Sequence, residues 1–379
     1  MTDTTPATPG SVLPRGMFPP LYLDDARRPG DLLALHKVGL PQLPQAVYAW
    51  HIAYVSTNSY DRPIAVSGTV LAPAAATAGA APMLVYCPSF HGLGGPCAPS
   101  QLLMAGDEPE AARLGAALAR GWTVAVPDGE GLGIFGTGPH TFLASRAAGH
   151  VALDMARATR RLPDLDASDS PIGVWGYADG GRAAIAAGEL CAEYAPELDL
   201  RAVAAGAVVS DPGELAPRLD GGPWSGLVFA GLIGLRCAHG HIPVHHVLTV
   251  DGLRTIGAAE SATASQLYEQ YRRAVGHWCE RDDPWNDPLW RLVFARERGG
   301  LGGPTVPVHL YHGTRDGLVP VDQGRRLYED YRALGADVHW RDYPTGHFAA
   351  ASAGTVDALD FLSAALGHPA TAHPGDTGR

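Results

Sequence analysis

Residues 171–181 read Pro-Ile-Gly-Val-Trp-Gly-Tyr-Ala-Asp-Gly-Gly, an apolar strand running into a tight turn and then a helix. Gly176 and Gly180 occupy the two glycine positions of the Gly-x-Ser-x-Gly nucleophile elbow, which presents a serine oxygen at the top of a sheet. Ala178 stands where that serine belongs. A methyl group cannot attack a carbonyl, so the turn has the form required for covalent acyl chemistry and lacks the atom that performs it. An elbow nucleophile needs a base, and the base needs an orienting acid. Further along the chain, Asp316 lies in Gly-Thr-Arg-Asp-Gly-Leu and His347 in Pro-Thr-Gly-His, each just after a short apolar run. These are the carboxyl ends of expected strands, where open α/β sheets place their sites. A turn aspartate or a loop histidine is ordinary alone; in this order behind an elbow they read as acid and base. Asp179 supplies one expected oxyanion-hole N–H, and a glycine-rich early loop, 89–95 or 127–131, supplies the other.

Such a constellation needs a sheet to carry it. The segments 47–55 and 64–71 are β-branched and aromatic and flank a turn, which predicts an edge hairpin. Apolar runs at 83–87, 122–126, 172–175, 202–209, 306–312 and 338–343 predict strands. Between them, helical spacing covers 108–120, 142–162, 181–194 and 322–334, and a last helix spans 355–366. Short strands without strict alternation, separated by helices, indicate a doubly wound, mostly parallel sheet covered on both faces. The rhythm breaks at 211–300, where helical segments at 224–235, 247–258 and 264–279 appear without a strand. The expected organisation is an arm at 1–45, a first core part at 46–210, an inserted helical cap at 211–300, a second core part at 301–367 and a disordered tail at 368–379.

With 28 basic against 39 acidic residues, the formal charge is −11, and no Lys/Arg-rich run occurs. That excludes a nucleic-acid footprint and leaves a small molecule as the expected partner. No apolar stretch approaches 18 residues, so no membrane span is expected, and no basic leader precedes an apolar run. A cytoplasmic protein with reduced thiols is the expectation, with secretion possible from a trimmed chain; Cys87, Cys97, Cys191, Cys237 and Cys279 form no C-x-x-C pair. Cys237, His239, His241, His245 and His246 are dense in possible ligands but match no zinc spacing, so neither metal nor cofactor is expected. The runs GLGG and GEGLG lack the residues that cradle phosphates.

Six segments, STNSYDRPIAVSGTVLAP, HGLGGPCAPS, VPDGEGLG, GYADGG, GTRDGLVP and YPTGH, occur in order between residues 47 and 365. Together they resemble the secretory lipases of the Candida antarctica lipase A type, in particular their actinobacterial branch. The resemblance implies an α/β-hydrolase fold with a helical lid and a Ser-Asp-His triad acting on carboxylic esters. Carried over, Asp316 would be the triad acid, His347 the base, and the N–H groups of Asp128 and Asp179 the oxyanion hole. His91, Gly92, Gly129 and Tyr177 would border the substrate, Gly129 standing where relatives often carry a bulky aromatic. Ala178 departs from the family pattern. An experimentally removed serine accounts for it while leaving the acid and base in use, the parent then catalysing ester hydrolysis or acyl transfer through an acyl-enzyme. The alternatives are a native lyase or cyclase working through Asp316 and His347, and a ligand-binding pseudohydrolase.

Overall fold

The structure, a computed structural model, describes residue 14 and residues 16–77 and 81–367. Nine strands form one sheet: β1 (Leu32–Lys37), β2 (Tyr48–Thr57), β3 (Pro63–Ala72), β4 (Met83–Cys87), β5 (Thr123–Pro127), β6 (Ile172–Tyr177), β7 (Leu200–Gly206), β8 (Val308–Gly313) and β9 (Val338–Tyr343). Their order across the sheet is β1-β2-β3-β5-β4-β6-β7-β8-β9. The pairs from β1 through β3 to β5 are antiparallel; β5, β4 and the four strands beyond are parallel. The chain leaves β4 towards β5 and then returns to place β6 on β4's other side. A crevice opens at such a reversal, outside the carboxyl ends of the strands.

Burial explains why the central strands read as unbroken apolar runs. Every residue of β4, β5 and β6 is buried, because helices cover both faces. On one face, Ser145–Thr159, Asp179–Tyr194 and Val321–Ala333 close over Val85, Val174 and Val203. On the other, Pro99–Ala105, Ala111–Leu118 and Thr355–Leu366 close over Leu84, Trp175 and Ala204. At the margin, β9 alternates between half-buried and exposed positions.

Two expectations about the chain's organisation change. Residues 32–37, expected within the arm, form edge strand β1 on β2; Leu-Leu-Ala-Leu-His-Lys shows no period of two, because only pairing at the edge recruits it. Helical spacing over 264–279 continues in the burial of Leu267, Tyr271 and Val275, but the backbone leaves the helix after Gln270. The expected tail lies outside the described residues, as does most of the chain before residue 16.

Between β7 and β8, helices Pro212–Leu219, Ser225–Ala238, Val250–Ala259, Ala264–Gln270 and Pro288–Arg296 surround a hydrophobic cluster of their own, including Phe229, Ile233, Trp278 and Trp290. Asp211, Thr249, Thr263 and Asp287 cap four of these helices with side-chain hydrogen bonds. Glu297 fastens this insertion to the core. Its carboxylate meets His239 Nε2 at 2.7 Å and accepts the Ser145 N–H at 2.6 Å. Arg182, on the helix behind the elbow, donates to the carbonyls of Leu143, Val209 and Glu297. Removing the Glu297 carboxylate strands these groups in a dry interior. Glu297→Ala is expected to cost about 3–5 kcal/mol in urea unfolding, and Glu297→Gln distinctly less.

Candidate active site

Ala178 ends β6 at φ 53° and ψ −114°, a backbone conformation that costs an L-residue about 1–3 kcal/mol. The turn around it is crowded. A Cβ on Gly176 would lie 2.0 Å from the Gly180 carbonyl oxygen, and one on Gly180 would lie 2.0 Å from that of Cys87. These contacts demand glycine at both positions, so the spacing legible in the sequence is the steric signature of the elbow itself. The Ala178 N–H is fixed to the Gly206 carbonyl at 2.9 Å, which points the Ala178 Cβ away from the sheet.

His347 Nδ1 lies 2.7 Å from Asp316 Oδ2. The other carboxylate oxygen accepts the N–H groups of Leu318 and Val319 at 2.9 and 2.8 Å. Burial by itself would raise the Asp316 pKa. Hydrogen bonds from His312, His347 and the Val319 N–H, with the His347 charge, outweigh it and hold the carboxyl well below the usual range. The aspartate therefore stays ionised and fixes the imidazole with Nδ1 inward. Tyr177 is not a pocket residue as expected: its ring is buried under the sheet end, and its hydroxyl donates to the His347 carbonyl at 2.6 Å. It acts as a prop for the histidine backbone.

Ala178 and His347 face a cavity with an empty volume of about 880 Å³. The insertion contributes half of its wall, including Leu215, Leu219, Val228, Leu232 and Tyr268, while Phe90 and Phe142 come from core loops. These cap residues carry no motif, and nothing in their spacing marks them as pocket-lining. Phe348, next to His347, is 68% exposed and packs towards Trp224 at the margin. Asp179 also lines the cavity; burial pushes its carboxyl up to about 6 against the pull of Arg182 and the Leu143 N–H.

Of the two early loops, 89–95 comes to the elbow. Glu110 accepts the Ser89 N–H at 3.0 Å, and Glu110 is itself paired with Arg113. His91 Nε2 lies 3.2 Å from Glu108. Burial opposes a charge on His91, but Glu108, Glu110 and the Phe90 carbonyl outweigh it and raise the imidazole pKa. These are the only three His, Cys, Asp or Glu side chains among the described residues grouped closely enough to hold a metal, and here they brace the loop. Gly92 lies outside the cavity; it forms an antiparallel bridge to Thr263 of the insertion and clamps loop to cap. The Phe90 N–H forms no hydrogen bond among the described residues.

The expected oxyanion role for Asp128 is corrected by its bonding. Its N–H is committed to the Ser67 carbonyl at 2.9 Å, and its carboxylate accepts the Ser67 hydroxyl and both the N–H and hydroxyl of Ser100. It straps β3 to the helix at Pro99 and forms the floor of a second cavity. His91 and Gly129 also line that second cavity. The histidine-rich run disperses: His239 is buried against Glu297, His241 meets Tyr60 edge to face, and His246 reaches Asp287. All five cysteines are unpaired. No helix among the described residues is long and apolar enough to cross a membrane.

The family model described as secretory lipase matches residues 99–247 and 299–372. The chain belongs to that family. A protein of Mycobacterium tuberculosis named as a probable inactive lipase is 31% identical over 351 residues, covering 87% of this chain and 76% of its own. A secreted triacylglycerol lipase of Malassezia furfur is 26% identical, covering 93% of this chain and 76% of its own. Candida antarctica lipase A in its closed state superposes with a TM-score of 0.81 at 24% identity, covering 90% of this chain and 83% of that one, so the fold is that of the α/β-hydrolases. The cytoplasmic expectation is overturned. A family described as secretory, with relatives named as secreted, points to secretion.

Two opposite pH dependences follow for this secretory lipase relative. The Asp316 contribution to stability is present above about pH 4, the ordinary carboxylate value, and is lost as pH falls through its depressed folded value. Asp316→Asn is expected to be less stable at neutral pH and to flatten the acid limb in urea unfolding. Asp179 has the reverse sign: its contribution is present below about pH 4 and lost as pH rises through about 6. Asp179→Asn is therefore expected to gain on the parent, by on the order of 1–3 kcal/mol, when melts at pH 8 are compared with melts at pH 4.

Proposed function

We propose that the chain binds a carboxylic ester or other acyl compound over Ala178, in an esterase-type site lacking its nucleophilic oxygen. The observation that carries this reading is the Asp316–His347 pair, at 2.7 Å and facing the same apolar cavity as the elbow methyl. A serine hydroxyl at 178 would complete a set able to form an acyl-enzyme. His347 would take the hydroxyl proton, and Asp316 would hold the resulting imidazolium in place. The N–H groups of Asp179, at the first turn of a helix, and of Phe90 are the donors left to meet a tetrahedral oxyanion.

The relative named as a probable inactive lipase favours alanine as this chain's own residue over an experimental substitution. Without the hydroxyl, binding and oxyanion stabilisation remain and the covalent route is lost, a deficit of about 10⁶ in turnover in a comparable site. Retention of the acid–base pair also favours a second reading. His347 would act as a general base in an elimination or cyclisation with no covalent step.

Ala178→Ser provides the test. Against p-nitrophenyl esters of short and medium acids, the serine form is expected to hydrolyse at least about 10³-fold faster than the parent. It alone should label with a serine-directed fluorophosphonate, and His347→Ala in the serine background should return the rate to the parent's. No gain and no label from serine would sink the esterase reading.

A further inference from the structure

Behind the 89–95 loop lies a second cavity of about 500 Å³ empty volume, between the ends of β4 and β5 and the helices Ser145–Thr159 and Asp179–Tyr194. It adjoins the first, because Ser89, Phe90 and Asp179 line both. Much of its wall is apolar, with Cys87, Pro99, Leu132 and Val151. Its polar groups differ in what they have left to offer. The Asp128 carboxylate is occupied by Ser67 and Ser100. Both nitrogens of His91 are engaged, by Glu108 and by the Phe90 carbonyl.

His140 is different. Its Nδ1 donates to the Glu130 carbonyl at 2.8 Å, which fixes the tautomer and leaves Nε2 as an acceptor with no partner among the described residues. Burial keeps this ring towards the neutral form. Its place depends on Gly129, where φ is +95° and a Cβ would come within 2.7 Å of His140 Cε1. The ring stacks beside Phe90, 6.3 Å between centroids. Asp179, at the junction of the two cavities, is the other group with acceptor capacity to spare.

Two acceptors in a largely apolar hollow call for a ligand group that donates hydrogen bonds. A fully hydrated cation would lose too much on entering such walls, whereas a hydroxyl gives its one hydrogen to His140 Nε2 at small desolvation cost. We propose that the second cavity receives the hydroxyl-bearing arm of an ester whose apolar arm lies in the first, the hydroxyl donating its one hydrogen to His140 Nε2. This rests on the ester-binding reading above and names the class of ester: one with a short hydroxylated arm.

The chain as it stands does not turn over by a covalent route, so affinity can be read directly. Titration calorimetry with 2-hydroxyethyl octanoate and propyl octanoate compares esters that differ by a hydroxyl against a methyl. The hydroxyethyl ester is expected to bind about tenfold or more tightly. His140→Phe, which keeps a ring against Phe90 and removes the acceptor, should bring the affinity ratio close to one. Equal affinity for the two esters in the unsubstituted chain, or an unchanged ratio in His140→Phe, would overturn the assignment while leaving ester binding intact. Binding of neither ester would remove the ester-binding reading, and this one with it.

Discussion

The close approach of the β6 elbow to the end of β4 is the constraint on which the rest of the molecule depends. Contacts of 2.0 Å for a Cβ built at Gly176 or Gly180 leave no latitude in the turn. They let the helix Asp179–Tyr194 begin directly over the strand, drive Ala178 to a positive φ, and aim its side chain into the crevice opened by the reversal of strand order. The strain there is retained although the residue is alanine. Packing of the following helix against β4, β6 and β7 over-determines the turn, so the elbow persists although residue 178 carries no hydroxyl.

Two buried charge systems convert that turn into a site. One centres on Asp316, whose oxygens are divided between backbone N–H groups and two histidines. It stays ionised because four donors answer one carboxylate, and this sets the orientation of His347. The other centres on Glu297 and Arg182, which tie the insertion to the core immediately behind the elbow. Desolvating these groups is expensive, and their bonds offset that cost only in one arrangement. The insertion is thereby held in register with the cavity it helps to wall. The brace of His91, Glu108 and Glu110 does the same for the loop that carries Phe90.

The family relationship gives these features a context without deciding the chemistry. Candida antarctica lipase A shares the fold, and among the relatives are both a secreted triacylglycerol lipase and a protein named as a probable inactive lipase. On the proposed reading, His347, Asp316 and the apolar cavity are enough to bind an ester without the serine oxygen. Its selectivity then rests on the shape and the unspent hydrogen-bonding capacity of the two cavities.

The sequence by itself determined what local sterics and chain order dictate. The glycine spacing of the elbow, the burial of the strands, and the positions of Asp316 and His347 after β8 and β9 were legible because each follows from contacts near in sequence or from strand order. Which early loop serves the site was not legible. Asp128 and Phe90 both sit in loops after core strands, and only the Ser67 carbonyl, 61 residues from Asp128, removes that amide from consideration. The cavity wall from 215 to 268, the seat of His140 and the burial of Tyr177 were likewise decided in three dimensions. Each depends on partners far along the chain, whose approach is fixed by packing and hydrogen bonding across the insertion rather than by any periodicity in the residues themselves.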